Sequence, residues 1–408
     1  MKKNIFAGFL LSLILIAPLF SVNAQSLADS LSGRILLDVE RNGEAWYVYP
    51  KNNKRYYLGR PNDAFSVMRE LGLGISEIDF QKIAAAEMDI DGDIELAKKL
   101  SGLIVLQVEK NGEAWYINPI TYKKHYLGRP DDAFKIMREL GLGISRKNLA
   151  FVYKNTLNES INQYSSYKHK DTIILNDQEF LVDIVEIDLN NPKLKIITDT
   201  ANSSDCPGKC VAKPLIDYVC DNDAFAAING SYFDTSATKL NYYFFPVYNS
   251  RLKTFINFGQ LKYPTTGPIM AFDENNNFYY FKDSRDFGSV ANFEKVYGVK
   301  LQAAIGNKPR LVEDGMSLLI DWELDDKQTN TKALRNAIAF KSENAGKGKI
   351  FLVIARSSTV VDLAEILKVM KVNYAINLDG GYSSALFYNG EYMVGPGRNI
   401  PNAILFSE

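Results

Sequence analysis

The stretch Tyr374–Val394, YAINLDGGYSSALFYNGEYMV, decides how the larger part of this chain is read. Apolar residues run as far as Leu378, and an acid, Asp379, follows at once. Gly380 and Gly381 then let the backbone come close to whatever faces it. A strand that ends in this way holds the acid in a fixed place while the loop stays free, and sites collect at such ends. Beyond the loop, ALFYNGEYMV is apolar on either side of Asn389-Gly390, the dipeptide of a two-residue hairpin turn. The stretch therefore predicts strand, loop and hairpin in succession.

Working outward, the same texture continues in both directions. TIILNDQEFLVDIVEIDL and KLKIITD read as strands, FAAING as a buried one, and KIFLVIA as another. DLAEILKVMKV has the spacing of an amphipathic helix, and NAILF supplies a last strand. Strands with few helices over residues 155–408 predict one α/β domain of mixed α+β character, built on a mixed sheet.

Ahead of this domain the chain repeats itself. SGRILLDVERNGEAWYVYP from Ser32 recurs as SGLIVLQVEKNGEAWYINP from Ser101, and YLGRPNDAFSVMRELGLGIS recurs as YLGRPDDAFKIMRELGLGIS. Each copy begins with an alternating strand, turns at Asn42-Gly43 or its counterpart, and continues as a strand carrying Trp46 or Trp115. Pro61 and Asp63 then open a helix with Phe65, Met68 and Leu71 on one face, closed by Gly72 and Gly74. The expectation is two small ββα-type units, 32–80 and 101–150, joined by a linker at 81–100. Asp89, Asp91 and Asp93 in that linker surround Gly92, but Leu100 stands where a calcium loop needs a bidentate Glu. A helix-capping linker is the better reading.

The repeats carry little chemistry. His125 in the second copy is matched by Tyr56 in the first, so no catalytic role recurs. GEAWY with YLGRP looks like the short aromatic repeats that bacterial exported proteins use for surface attachment. Two copies invite avidity for a polymer such as cell wall or glycan. The competing role for each Trp is simply to fill a small core.

Bulk features narrow the classes further. Lys2 and Lys3 precede an apolar run from Ile5 to Phe20, and Val22, Asn23 and Ala24 form a small-x-small cleavage site. A signal peptide at 1–24 is expected, hence a secreted or surface-held protein. Net charge is −1, which gives no electrostatic case for nucleic acid as a partner. Oligomeric state stays open. Cys206, Cys210 and Cys220 are the only cysteines, and one disulfide with one leftover thiol is the simplest outcome, its pairing open.

Four stretches of the large domain put polar or glycine residues directly after an apolar strand or before one. AAINGSYFD carries Asn229, Gly230 and Asp234, and AIGNKPRLVEDG follows a strand. LRNAIAF sets Arg335 before a strand, and INLDGGYSSAL carries Asp379, Gly380, Gly381, Ser383 and Ser384. GRNIPNAILF adds Arg398 and Asn402. In this order the segments resemble the phosphodiester glycosidase family, the relatives of the lysosomal uncovering enzyme. The likeness falls on Asn229 to Phe233, Arg335 to Ile338, Leu378 to Ser384, and Arg398 to Ala403. Ser231 and Tyr382 stand where the family often has Gly, Asn399 replaces its usual Pro, and Ala339 stands where Gly often follows the Arg strand. These departures bear on pocket shape more than on chemical groups.

The resemblance implies hydrolysis of a sugar held through its anomeric carbon to a phosphodiester. An oxocarbenium-like transition state wants a carboxylate nearby, and a phosphate leaving group wants donors and positive charge. Asp379 is then the catalytic carboxylate, and Arg335 and Arg398 clamp phosphate, with Asn229 orienting sugar or phosphate. Gly230, Gly380, Gly381, Ser383, Ser384 and Asn402 would cradle substrate oxygens, and Asp234 is a second acid. Each has a plainer role open to it: a turn cap for Asp379, an ion-pair partner for Arg335. No cofactor is required, and help from a divalent cation stays open. With only two histidines, a Ser-His-Asp triad lacks a base and zinc lacks ligands. The non-enzymatic alternative is a wall-attached glycan-binding protein that has lost turnover.

Overall fold

The computed structural model describes residues 24–90, 92–128, 130–155, 166–344 and 347–408. All of the expected leader except Ala24 lies outside the described residues, as does Asp91 of the linker.

The first repeat folds as β1 (Ile35–Asp38), β2 (Glu44–Tyr49), β3 (Lys54–Tyr57), a helix Pro61–Leu71, and β4 (Leu73–Ile75). The second follows the same plan with β5 (Ile104–Gln107), β6 (Ala114–Ile117), β7 (Lys124–Tyr126), a helix Pro130–Leu140, and β8 (Leu142–Ile144). Asn42 and Gly43 both take positive φ at the centre of the turn Arg41–Glu44, which closes a five-residue loop between the paired Asp38 and Glu44.

The copies are not separate units. β4 leaves its own copy and pairs in parallel with β5, Leu73 opposite Val105. β8 does the reverse on β1, with Leu142 opposite Leu36. Each sheet, ordered β3-β2-β1-β8 and β4-β5-β6-β7, is therefore completed by the other copy. Gly72 closes the helix as expected, its N–H on Met68 O, whereas Gly74 lies within the exchanged strand. Phe65, expected on the buried face, is 55% exposed, and Ala64, Val67 and Met68 face inward. One core serves both copies, with Tyr47 and Met68 packed among Tyr116 and Met137. At the pseudo-dyad, a Cβ on Gly33 would fall 2.6 Å from the Cα of Gly102. Only a residue without Cβ permits that approach. Tyr47 and Tyr116 bond across the dyad to Gly102 O and Gly33 O, each at 2.7 Å. In the linker, Asp93 caps the helix Ile94–Lys99 through Leu96 N.

The large domain holds, among the described residues, three sheets of seven, five and five strands. The mixed α+β class read from the sequence holds. The parallel pairs sit in the N-terminal sheets, and the strand pairs of the large domain are antiparallel. The centre of the seven-stranded sheet is Tyr374–Leu378, Ala333–Asn344, Lys347–Ser358 and Gln178–Asp188. One face packs the helix Val360–Val369 through Ala337, Val353, Leu363 and Leu367. Thr359 and Asp362 close a capping box at the start of this helix. The other face, through Ile338, Ile354 and Ile376, packs on Ile228 and Ile404 of a second sheet and Ile305 of the third. Burial on both faces explains why these strands read as nearly unbroken apolar runs. Each fully buried Leu or Ile contributes about 1.5–3 kcal/mol.

Two sheets meet where the candidate residues lie. Asp379 N donates to Gly230 O at 2.9 Å, tying the end of Tyr374–Leu378 to the end of Ala226–Asn229. Asn336 sits opposite Leu378 in one sheet, and Asn229 opposite Ala403 in the other. Cys206 and Cys210 are bridged, and Cys220 remains a buried free thiol.

Candidate active site

Asp379 follows the last residue of its strand, half-buried, with its backbone carbonyl held by two amides. Asn229 Nδ2 donates to that carbonyl at 2.7 Å and Asn336 Nδ2 at 2.8 Å. Asn336 Nδ2 also donates to Asn229 Oδ1 at 2.7 Å, and Ser384 Oγ donates to Asn336 Oδ1 at 2.9 Å. Ala385 N completes Asn229 Oδ1 at 3.1 Å. Asn229 and Asn336 are both fully buried, and their amide groups are filled by protein partners. A satisfied buried network of this kind fixes position, because each broken bond would leave a bare polar atom.

The Asp379 carboxyl is governed by opposing effects. Burial pushes it up to about 6, while the Ser383 hydroxyl, Arg398, the Gly380 N–H and Arg335 pull it down. Gly380 N donates to its Oδ1 at 3.0 Å. A Cβ on Gly380 would fall 2.6 Å from Leu334 O, so the loop can lie this close to the strand carrying Arg335 only as glycine.

Arg335 is 7% exposed, and three backbone carbonyls hold its guanidinium. Nε reaches Ser358 O at 3.3 Å, and Nη2 reaches Lys327 O and Thr331 O, each at 2.6 Å. No carboxylate pairs with it among the described residues. Three carbonyls fix this buried guanidinium in place, close enough to act on the Asp379 carboxyl. Arg398 is half-buried and lies over the ring of Tyr382, 5.6 Å from its centroid, with its N–H on Tyr382 O at 2.9 Å. Tyr382 itself is 84% exposed on the loop after Asp379.

Other candidates have structural neighbours instead of an open site. Asn402 is buried: its Oδ1 takes Ser231 N at 2.8 Å, and its Nδ2 donates to Ser231 Oγ at 3.0 Å. Gly230 serves this contact, since a Cβ there would fall 1.9 Å from Asn402 Oδ1. Ser384 holds Asn336, as above. Asp234 caps its own loop through Ser236 N at 2.7 Å, a bond that lowers its carboxyl. Gly381, at φ +60, has open space where a Cβ would be.

Tyr232 was not singled out by sequence, yet its phenol belongs to this cluster. Gln328 Nε2 donates to the phenolic oxygen at 2.9 Å and Asn377 Nδ2 at 2.6 Å. Neither amide can be turned round without loss. Gln328 Oε1 accepts Asp325 N at 2.8 Å, and Asn377 Nδ2 also serves Leu378 O at 2.8 Å. With both lone pairs of the phenol filled, its proton must be donated elsewhere. Burial pushes the group up to about 12, with Asp379 adding to the rise and Arg335 opposing it. The phenol therefore keeps its proton at neutral pH and feels the charge of Asp379. Its signal in the sequence was only a Tyr after Asn-Gly-Ser. Asn336 has a signal too, as an Asn inside an apolar strand next to Arg335.

Residues 222–407 match the family model described as phosphodiester glycosidase. No curated protein matches the chain. Among solved structures, it is similar to a hypothetical protein from Synechocystis at 14% identity and a TM-score of 0.47. That match covers 59% of this chain and 62% of the other, so this protein spans less than two thirds of it. It is also similar to the zebrafish N-acetylglucosamine-1-phosphodiester alpha-N-acetylglucosaminidase catalytic domain auto-inhibited by pro-peptide. There the identity is 18% and the TM-score 0.46, over 62% of this chain and 85% of that one.

Proposed function

We propose that the chain is an exported hydrolase that cleaves a sugar from a glycosyl phosphodiester, with Asp379 as its catalytic carboxylate. The observation that carries this reading is the carboxyl of Asp379, raised to about 6 by burial and flanked by Arg335 and Arg398. A carboxyl tuned toward neutral pH beside two guanidiniums suits a reaction that builds positive charge on a sugar and negative charge on a phosphate. The family match over residues 222–407 supports the same chemistry.

In this reading water attacks the anomeric carbon, and the bond from that carbon to the phosphate oxygen breaks. The electron pair leaves with the phosphate, giving free sugar and a phosphomonoester. Ionised Asp379 takes the proton of the attacking water and faces the developing oxocarbenium charge. Arg398 and the unshared edge of Arg335 hold phosphate oxygens, and the Tyr232 phenol donates a further hydrogen bond. Asn229, Asn336, Ser384 and Asn402 act as positioning residues behind them. The N-terminal module attaches the enzyme to a cell-wall or glycan polymer.

The test is hydrolysis of an alkyl phosphodiester of α-N-acetylglucosamine 1-phosphate, followed as released sugar and phosphomonoester. Turnover by the wild type and its loss in Asp379→Asn support the proposal. Equal rates in the two proteins discard Asp379, and no turnover with any α-sugar 1-phosphodiester favours the glycan-binding alternative. Co-sedimentation of the full chain with isolated cell walls tests attachment, and a protein left wholly in the supernatant removes it.

A further inference from the structure

The exchanged module contains its own control, because Trp46 and Trp115 occupy equivalent places and their polar edges end differently. In the second copy, Trp115 Nε1 donates to Gln107 Oε1 at 2.8 Å. Lys124 donates to Phe80 O at 2.7 Å and lies 3.5 Å from the centroid of the Phe80 ring. In the first copy, Asp38 stands in the place of Gln107, Arg55 in that of Lys124, and Leu149 in that of Phe80. Asp38 is one methylene shorter, and its Oδ1 already takes Glu40 N at 3.0 Å. Trp46 Nε1 is consequently without a hydrogen-bond partner, in a side chain only 7% exposed. Arg55 Nε is buried and unpartnered as well, and its guanidinium lies over the Trp46 ring at 4.4 Å.

Buried donors without acceptors are rare in folded proteins and call for an explanation. Both copies carry the same backbone bridge over this strand, Ala85 to Lys124 in the second and Lys154 to Arg55 in the first. The difference lies in the side chains and in what is beyond them, because the first copy faces the large domain across a cavity of about 390 Å³. Trp46 and Arg55 line it on one side, and Phe225 and Tyr388 on the other. A second cleft, of about 530 Å³, also reaches Trp46 and Arg55. Cavities of this size at a domain seam suit a sugar or a small oligosaccharide. The nearby acids are mostly engaged. Of the four acids in the lining, Asp38 takes Glu40 N at 3.0 Å, Asp223 pairs with Arg41 at 2.8 Å, and Glu408 accepts Asn191 Nδ2 at 2.7 Å, which leaves Glu44. Lys154 and Lys193 add positive charge to the lining. Burial lowers the Arg55 guanidinium only to about 10, so it keeps its charge at neutral pH.

We propose that the seam between the first repeat and the large domain is a second carbohydrate site, separate from Asp379. It takes a sugar bearing an oxyanion, which accepts from the Arg55 guanidinium and the Trp46 indole N–H. Both donors call for acceptors, and a carboxylate or phosphate oxygen satisfies them with charge-assisted bonds.

The chain has three tryptophans, so ¹⁵N-labelled indoles give three resolvable N–H resonances, with Trp46 assigned from a Trp46→Phe variant. The full chain is titrated with glucuronate, glucose 1-phosphate, inorganic phosphate and neutral glucose. The expected result is a saturable shift of the Trp46 resonance with at least one acidic sugar, a stationary Trp115, and no response to glucose. Glucuronate alone would identify a carboxylate ligand, and glucose 1-phosphate alone a phosphate ligand. Arg55→Gln should weaken the response roughly tenfold or more while the Trp115 resonance reports an intact fold. Asp379→Asn should leave the titration unchanged, which separates this site from the candidate active site. The proposal is overturned if neither acidic sugar moves Trp46, if glucose or inorganic phosphate acts as strongly, or if either substitution gives the opposite result.

Discussion

Two polar interiors of this molecule are built in opposite ways. Behind Asp379, the amides of Asn229, Asn336 and Asn402 are matched to one another and to the backbone. At the repeat–domain seam, Trp46 Nε1 and Arg55 Nε are buried donors with no acceptor among the described residues. The first arrangement holds the Asp379 backbone still, and the second leaves bonding capacity unused. Satisfied and unsatisfied polar groups therefore carry different information: one marks a scaffold, the other a vacancy in the bonding pattern.

The strongest way to break the contrast is to remove the acid. Asp379→Asn is expected to lower kcat on a glycosyl phosphodiester by about 10²–10⁴-fold, while Arg55→Gln leaves initial rates unchanged. Next in size is the scaffold. Asn336→Leu strips partners from Asn229 Oδ1, Asp379 O and Ser384 Oγ, and is expected to cost about 2–4 kcal/mol in chemical denaturation. Trp46→Phe removes a donor that has no partner, so its cost should stay well below that value.

A smaller effect follows from the raised carboxyl of Asp379. An unfolded chain loses this proton near pH 4, the folded protein only near 6, so stability falls as pH rises between those values. Asp379→Asn should accordingly be more stable than wild type by about 1–3 kcal/mol above pH 6. The advantage should vanish below about pH 4, as thermal unfolding across that range will report. The smallest expected change is at Tyr232. Tyr232→Phe keeps the ring and loses the donor, so kcat should drop about tenfold with the fold intact.

What could be read in advance, and what could not, follows from the range of the signals. The end of the strand at Asp379 was legible because an apolar run stops at an acid followed by two glycines. The segments holding Asn229, Arg335, Ser383 and Arg398 were legible as strand ends too, and the fold brings them to Asp379. The division of labour among them was not. Whether Asn229 faces a ligand or the Asp379 carbonyl depends on Asn336, which lies more than a hundred residues away in the chain. Tyr232 is a donor only because Gln328 and Asn377 fill its lone pairs, a fact that no single segment holds. The strand exchange was hidden for a similar reason. Leu73–Ile75 pairs in parallel with a strand of the other copy, and local spacing gives no sign of a distant partner. Gly72 and Gly74 looked like a helix stop, which half describes what they do.

The central claim is that one partly buried carboxyl, Asp379, sets the chemistry of the large domain. The pH dependence of kcat/KM on a glycosyl phosphodiester tests it most directly, since the free enzyme's essential base appears there. The account predicts a rise with unit slope on the acid side, a bend near pH 6 and a plateau above, all absent from the residual activity of Asp379→Asn. A profile that is flat from pH 4 to 7, or an acid limb that survives in the variant, would contradict it.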